Sequence, residues 1–130
     1  MKKILVADVP QMDGRYSAAF AGAQLAFVRT LGEAHQALES GPCDLVAIGV
    51  YFDDSQMFDL LRYIRADDEC SEVPVLCVRG QPGFTAVSGR MLEMTVKALA
   101  ADAFIDLLHF ADEAGGNAAL RAAASQFIED

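Results

Sequence analysis

Few residues in this sequence stand at spacings that do chemistry. His35 and His109 lie far apart, and neither sits in a Cys, Ser or Glu motif of the kind that builds a triad or a metal site. Ser88-Gly89 lacks the preceding glycine of a nucleophile elbow, so hydrolase chemistry is not supported. Cys43, Cys70 and Cys77 are odd in number and form no Cys-x-x-Cys, which argues against a disulfide framework and a zinc knuckle. Cys43 and Cys77 border or lie in apolar runs, where cysteine packs as a small hydrophobe. Gly80-Gln81-Pro82-Gly83 is a turn with a mechanism, because proline presets φ and glycine admits positive φ. With Arg79 and Arg90 nearby it has the makings of an anion cradle. The Gly-x-x-x-x-Gly-Lys-Ser/Thr that grips nucleotide phosphates is missing, however, and the plain reading is a loop. The residue types point to no metal, no cofactor and no catalytic constellation.

The elements that would position any site are clearer. Apolar segments run over Lys3 to Ala7, Gln24 to Arg29, Asp44 to Val50, Pro74 to Val78 and Ala103 to Leu108. The first, third and fourth are nearly continuous in aliphatic residues, as expected of parallel strands covered on both faces; Gln24 to Arg29 reads as an edge strand. Between the third and fourth, Met57, Leu60, Leu61 and Ile64 repeat at i, i+3, i+4, i+7 and predict an amphipathic helix, with Ser55 placed to cap it. Leu31 to Leu38 predicts a helix that stops at Ser40-Gly41-Pro42. Met12 to Ala23, punctuated by Gly14 and Gly22, predicts a short helix, and a last helix is expected from Asn117, after Gly115-Gly116. Strand, helix, strand repeated with right-handed crossovers implies a doubly wound, three-layer α/β domain spanning 1–130, in which ligands sit beyond the carboxyl ends of the strands.

Composition excludes several classes. The chain has 130 residues, 53% hydrophobic and 22% charged, enough to bury a core in one domain. A net charge of −9 repels phosphate backbones and anionic headgroups, so nucleic acid and membrane are poor partners. No apolar run approaches the roughly 20 residues of a membrane-spanning helix. The apolar stretch near the start, Ile4 to Ala7, is shorter than the roughly 7 residues a signal-peptide core needs, so a cytoplasmic protein is expected.

Ile4-Leu5-Val6-Ala7-Asp8, Asp44 through Val50, Phe58 through Arg65 and Val73-Pro74-Val75-Leu76 resemble the receiver domain of two-component response regulators. The resemblance covers nearly the whole chain and is most specific from Asp44 to Leu76. It implies a flavodoxin-like, five-stranded parallel sheet. It also implies an activity whose residues are largely replaced here. The aspartate that accepts phosphate at the end of the third strand is matched by Gly49. Of the acidic pair that binds magnesium after the first strand, Asp8 remains and Val9 stands for its neighbour. The hydroxyl residue ending the fourth strand is matched by Arg79, the lysine ending the fifth by Leu107 and the following proline by Leu108, while the switch aromatic is retained as Phe104. Loss of nucleophile, phosphate grip and counter-charge together implies a pseudo-receiver: a non-enzymatic signalling module that binds protein without aspartyl phosphorylation.

Two rivals stand beside this reading. One is a module that binds a small anion or metabolite in the vacated pocket at Arg79. The other is an active receiver with a relocated acceptor, for which Asp53 and Asp54 are the candidates, although a solvated acidic loop explains them more simply. The expected partner is a protein, such as a sensor kinase or regulator, or a second copy of the chain. Its surface is expected on the half the family commonly uses, with Met91, Leu92, Met94, Val96 and Leu99 as adaptable apolar groups, about half of them claimed by the core. With the lysine gone, Arg79 is expected to reach across and pair with Asp8, with Asp53 as the alternative partner.

Overall fold

The computed structural model describes residues 1–81 and 88–128. Five apolar runs become one parallel sheet: β1 (Lys3–Ala7), β2 (Gln24–Val28), β3 (Leu45–Gly49), β4 (Val75–Arg79) and β5 (Ala103–Asp106), in the order β2-β1-β3-β4-β5. The helices between and after them are α1 (Asp13–Ala19), α2 (Leu31–Glu39), α3 (Met57–Ala66), α4 (Gly89–Ala98) and α5 (Glu113–Ile128). This is the expected doubly wound, flavodoxin-like architecture, with the order reversing between β1 and β3.

Strand periodicity divides the core. Leu5, Ala7, Val46, Ile48, Val75 and Cys77 point to one face, where they meet Ala34 of α2, Leu60, Leu61 and Ile64 of α3, and Val96 of α4. Ile4, Val6, Leu45, Ala47, Leu76 and Val78 point to the other, against Tyr16 and Ala19 of α1 and Leu120 and Ala124 of α5. β3 is buried at every residue, whereas β2 alternates as an edge strand should. Among the described residues no helix is long and apolar enough to cross a membrane.

The structure corrects three local expectations. The last helix begins at Glu113, not Asn117, because Asp112 accepts a hydrogen bond from the Gly115 amide and caps the added turn. Gly115 and Gly116 therefore lie inside the helix, and Gly116 is small for packing: a Cβ there would stand 2.4 Å from the Arg15 guanidinium. Ser55 does not cap α3; Gln56 occupies that place without a side-chain cap. Asp53, Asp54 and Ser55 instead form a left-handed run at φ 44°, 59° and 65°, a conformation costing non-glycine residues about 1 kcal/mol each. The run is held by Asp53, whose carboxylate accepts from the Leu31 amide at the start of α2 and whose carbonyl accepts from the Gln56 side chain. Finally, β5 ends at Asp106, and Leu107–His109 form a 3-10 turn. Of the Gly80 to Gly83 turn, Pro82 and Gly83 lie outside the described residues.

Candidate functional site

The crevice at the carboxyl end of the sheet has two halves. On the β1/β3 side, Asp8 follows β1 and is 3% exposed. Its carboxylate accepts from the buried Tyr16 hydroxyl of α1 at 2.6 Å and from the Val9 amide at 2.7 Å. It lies directly over Gly49, the last residue of β3. A Cβ built on Gly49 would stand 2.0 Å from the Asp8 carboxyl carbon and Oδ1 and 2.1 Å from Oδ2. The Asp8 carboxylate thus fills the space in which any side chain on residue 49 would begin. The Arg29 guanidinium does not reach that carboxylate; it donates to the Asp8 carbonyl at 3.0 Å, forms an ion pair with Asp13 and lies over the Phe27 ring. Burial pushes the Asp8 carboxyl up to about 6, with Tyr16, Val9 and Arg29 only partly opposing it.

On the β4/β5 side, the register sets Arg79 beside Asp106. The Arg79 guanidinium donates to Asp106 Oδ2 at 2.5 Å, and the Leu108 amide donates to Oδ1 at 3.0 Å. Both side chains are largely buried, at 17% and 4% exposure. The start of α4 closes over the pair: a Cβ on Gly89 would stand 2.2 Å from Asp106 Oδ2 and 3.1 Å from Arg79 Nη2. His109 Nε2 lies 3.6 Å from the same oxygen. Burial raises the Asp106 carboxyl, but the hydrogen bond from Arg79, the Leu108 amide and the charges of Arg79 and His109 outweigh it and hold the group below its ordinary value.

Arg79 therefore pairs with Asp106, and the expected Asp8 and Asp53 pairings are absent from these contacts. Asp106 is nearer because it is the neighbour in the sheet, whereas Asp8 is already held by Tyr16 and Asp53 by α2. Leu107 is likewise corrected: it does not line the crevice but is 3% exposed in the core against α1 and α5. Val9 is half-buried and starts the turn into α1. Phe104 is half-buried, packed on the α2–α4 side of the sheet and lining a groove with Gly89, Arg90 and Glu93. Leu92 and Val96 belong to the core and Leu99 packs against it, while Met91 and Met94 are 61% and 63% exposed. Leu108 and Phe110 beyond β5 are also exposed. His35 stacks on Tyr63, and Cys77 is buried. Among the described residues no three His, Cys, Asp or Glu side chains are grouped to hold a metal ion.

Sequence reading missed Tyr16, Arg29 and Asp106. Tyr16 sits in a helix whose pattern is weak. Asp106 sits in an apolar strand, and the one available signal is its place opposite Arg79 once β4 and β5 are aligned.

No family model and no curated protein matches the chain. Solved structures do. A phosphorylated cyanobacterial phytochrome response regulator, RcpA, is similar at 16% identity and a TM-score of 0.80, covering 98% of this chain and 94% of that one. A response regulator from Hahella chejuensis is similar at 16% identity and a TM-score of 0.80, over 99% and 96%. The receiver domain of a DNA-binding response regulator from Colwellia psychrerythraea aligns over 100% of both chains at 13% identity and a TM-score of 0.73. Strand order, crevice position and these likenesses agree: the chain has the fold of the response regulator receiver domains.

Proposed function

We propose that the chain is a non-enzymatic signalling module of the receiver type that binds a protein partner without being phosphorylated. One observation carries this reading: the Asp8 carboxylate occupies the space in which an acceptor side chain on residue 49 would begin. The nucleophile is missing, and the carboxylate that would help hold magnesium is turned onto the glycine and bonded to Tyr16. The place of the phosphate-gripping hydroxyl belongs to an arginine already committed to Asp106. A relocated acceptor at Asp53 is disfavoured because its carboxylate caps α2. The metabolite reading is disfavoured by size: the cleft bordering Arg79, between Val50 and Leu92, measures about 140 Å³, against roughly 300–1,000 Å³ for ordinary ligand pockets. Exposed Met91 and Met94 are the adaptable apolar groups offered to a kinase or regulator.

Incubation with acetyl phosphate and magnesium, followed by intact-mass measurement, tests the reading. No gain in mass is expected, nor any spectral change with beryllofluoride. A stoichiometric, base-labile gain of one phosphoryl group overturns it.

A further inference from the structure

The sheet has two edges, and β2 is the one left without charge. Gln24-Leu25-Ala26-Phe27-Val28 contains no charged residue and no proline, the devices by which exposed edges ordinarily refuse new strands. The Gln24 amide donates to the Lys2 carbonyl, so Gln24, Ala26 and Val28 turn their backbone groups toward β1. Strand alternation then turns the amides and carbonyls of Leu25 and Phe27 outward, and among the described residues no hydrogen bond takes them up. β5, at the other edge, is shorter and is bracketed by Asp102 and Asp106.

We infer that β2 is a self-association edge, on which a second copy of this chain adds its own β2 antiparallel about a two-fold axis through Ala26. The choice of a second copy rests on self-complementarity. With Ala26 on the axis, Leu25 of one copy faces Phe27 of the other, and these two residues are the ones whose backbone groups point outward. Both pairs become hydrogen-bonded pairs, giving four amide-to-carbonyl bonds. Ala26 becomes the non-hydrogen-bonded pair, where Cα atoms approach to about 4.5 Å; its side chain is small and exposed. Charge agrees with the antiparallel sense. Lys3 stands beside Gln24 at the amino end of β2, whereas Glu33 bonds the Arg29 amide and Asp13 balances the Arg29 side chain at its carboxyl end. Antiparallel copies bring the basic end of one to the acidic end of the other, and the arrangement closes at two chains.

Sedimentation and light scattering of the full chain over a concentration series test this, with Ala26→Lys as the breaking variant. The chain is expected to approach twice its 13.9 kDa mass, and Ala26→Lys, which sets two ammonium groups against each other on the axis, to return it to the monomer with an unchanged circular dichroism spectrum. Ala26→Cys supplies a second readout independent of that variant's folding. The axial Cα spacing suits a disulfide, so mild oxidation should give a covalent dimer in higher yield than in the unsubstituted chain. A monomeric chain at every concentration, a dimer indifferent to Ala26→Lys, or no excess crosslinking of Ala26→Cys overturns the proposal.

Discussion

Asp8 and Asp106 stand on opposite sides of one crevice, are 3% and 7% exposed, and ionise in opposite directions. Burial raises both. Asp106 meets a guanidinium and a backbone amide, and its carboxyl is held down; Asp8 meets a phenol and a backbone amide, and its carboxyl rises to about 6. Each carboxylate accepts two hydrogen bonds, but one of those to Asp106 comes from a guanidinium whose charge adds to it, whereas both of those to Asp8 come from neutral groups. The nearest cation to Asp8, Arg29, is spent on the Asp8 carbonyl and on Asp13. The β4/β5 half is therefore a neutralised pair, and the β1/β3 half retains an acid compensated only in part.

The sharpest way to break the comparison is to remove the cation. In Arg79→Ala, Asp106 stays buried without its partner, and a loss of about 3 kcal/mol is expected, as for other buried pairs broken on one side. Chemical denaturation measures it. Adding Asp106→Asn should recover much of that loss, because the charge left stranded is gone. A loss below about 0.5 kcal/mol in the single variant would mean that the pair is as weak as an exposed one.

Gly49 probes the other half. Gly49→Ala sets a methyl carbon 2.0 Å from the Asp8 carboxyl, and Asp8 cannot yield without leaving Tyr16. Overpacking of this kind is expected to cost about 2 kcal/mol. Combining it with Asp8→Ala, which empties the contested space, should make the two changes strongly non-additive. Additive losses would show that the carboxylate swings away freely and that the space above Gly49 is open.

The parts of the molecule legible in the sequence were those set by local pattern. Continuous aliphatic runs mark β1, β3 and β4, the i, i+3, i+4, i+7 repeat marks α3, and together they indicate a doubly wound parallel sheet, while the flavodoxin-like strand order comes from the resemblance to receiver domains. The place of Gly49 at the crevice is legible because Gly49 ends β3 and so follows from that strand alone. The partners of Arg79 and Asp8 were hidden for a different reason. Arg79 finds Asp106 through β4/β5 register, and Asp8 finds Tyr16 through the way α1 docks; neither distance is encoded in spacing along the chain. The resemblance sets Leu107 at the crevice end of β5, but the 3-10 turn after Asp106 rotates it into the core.

The smallest expected effect distinguishes the two acids by sign. Raising the Asp8 carboxyl from 3.8 to about 6 corresponds to about 3 kcal/mol of destabilisation at neutral pH. Below pH 3.8 Asp8 is protonated in both folded and unfolded chains, and this penalty is absent. As pH rises past 3.8 the unfolded chain ionises first, so stability falls until pH passes about 6 and then levels. Asp106, whose carboxyl is held low, has the reverse dependence: its contribution is present above the ordinary carboxylate range and is lost as pH falls through its folded value. Asp8→Asn removes the first dependence and leaves the second. It keeps an acceptor for the Tyr16 hydroxyl but places an amide group beside the Val9 N–H, so the net gain at pH 7 should be smaller than the full penalty, about 1 kcal/mol. Unfolding measured from pH 4 to 7 should show the stability of Asp8→Asn flatter than that of the parent chain, the variant being the more stable at pH 7 and the less stable near pH 4, so that the two curves cross between. Parallel curves, or an Asp8→Asn chain less stable at pH 7 than its parent, would mean that Asp8 is compensated as well as Asp106 and that the two halves of the crevice do not differ.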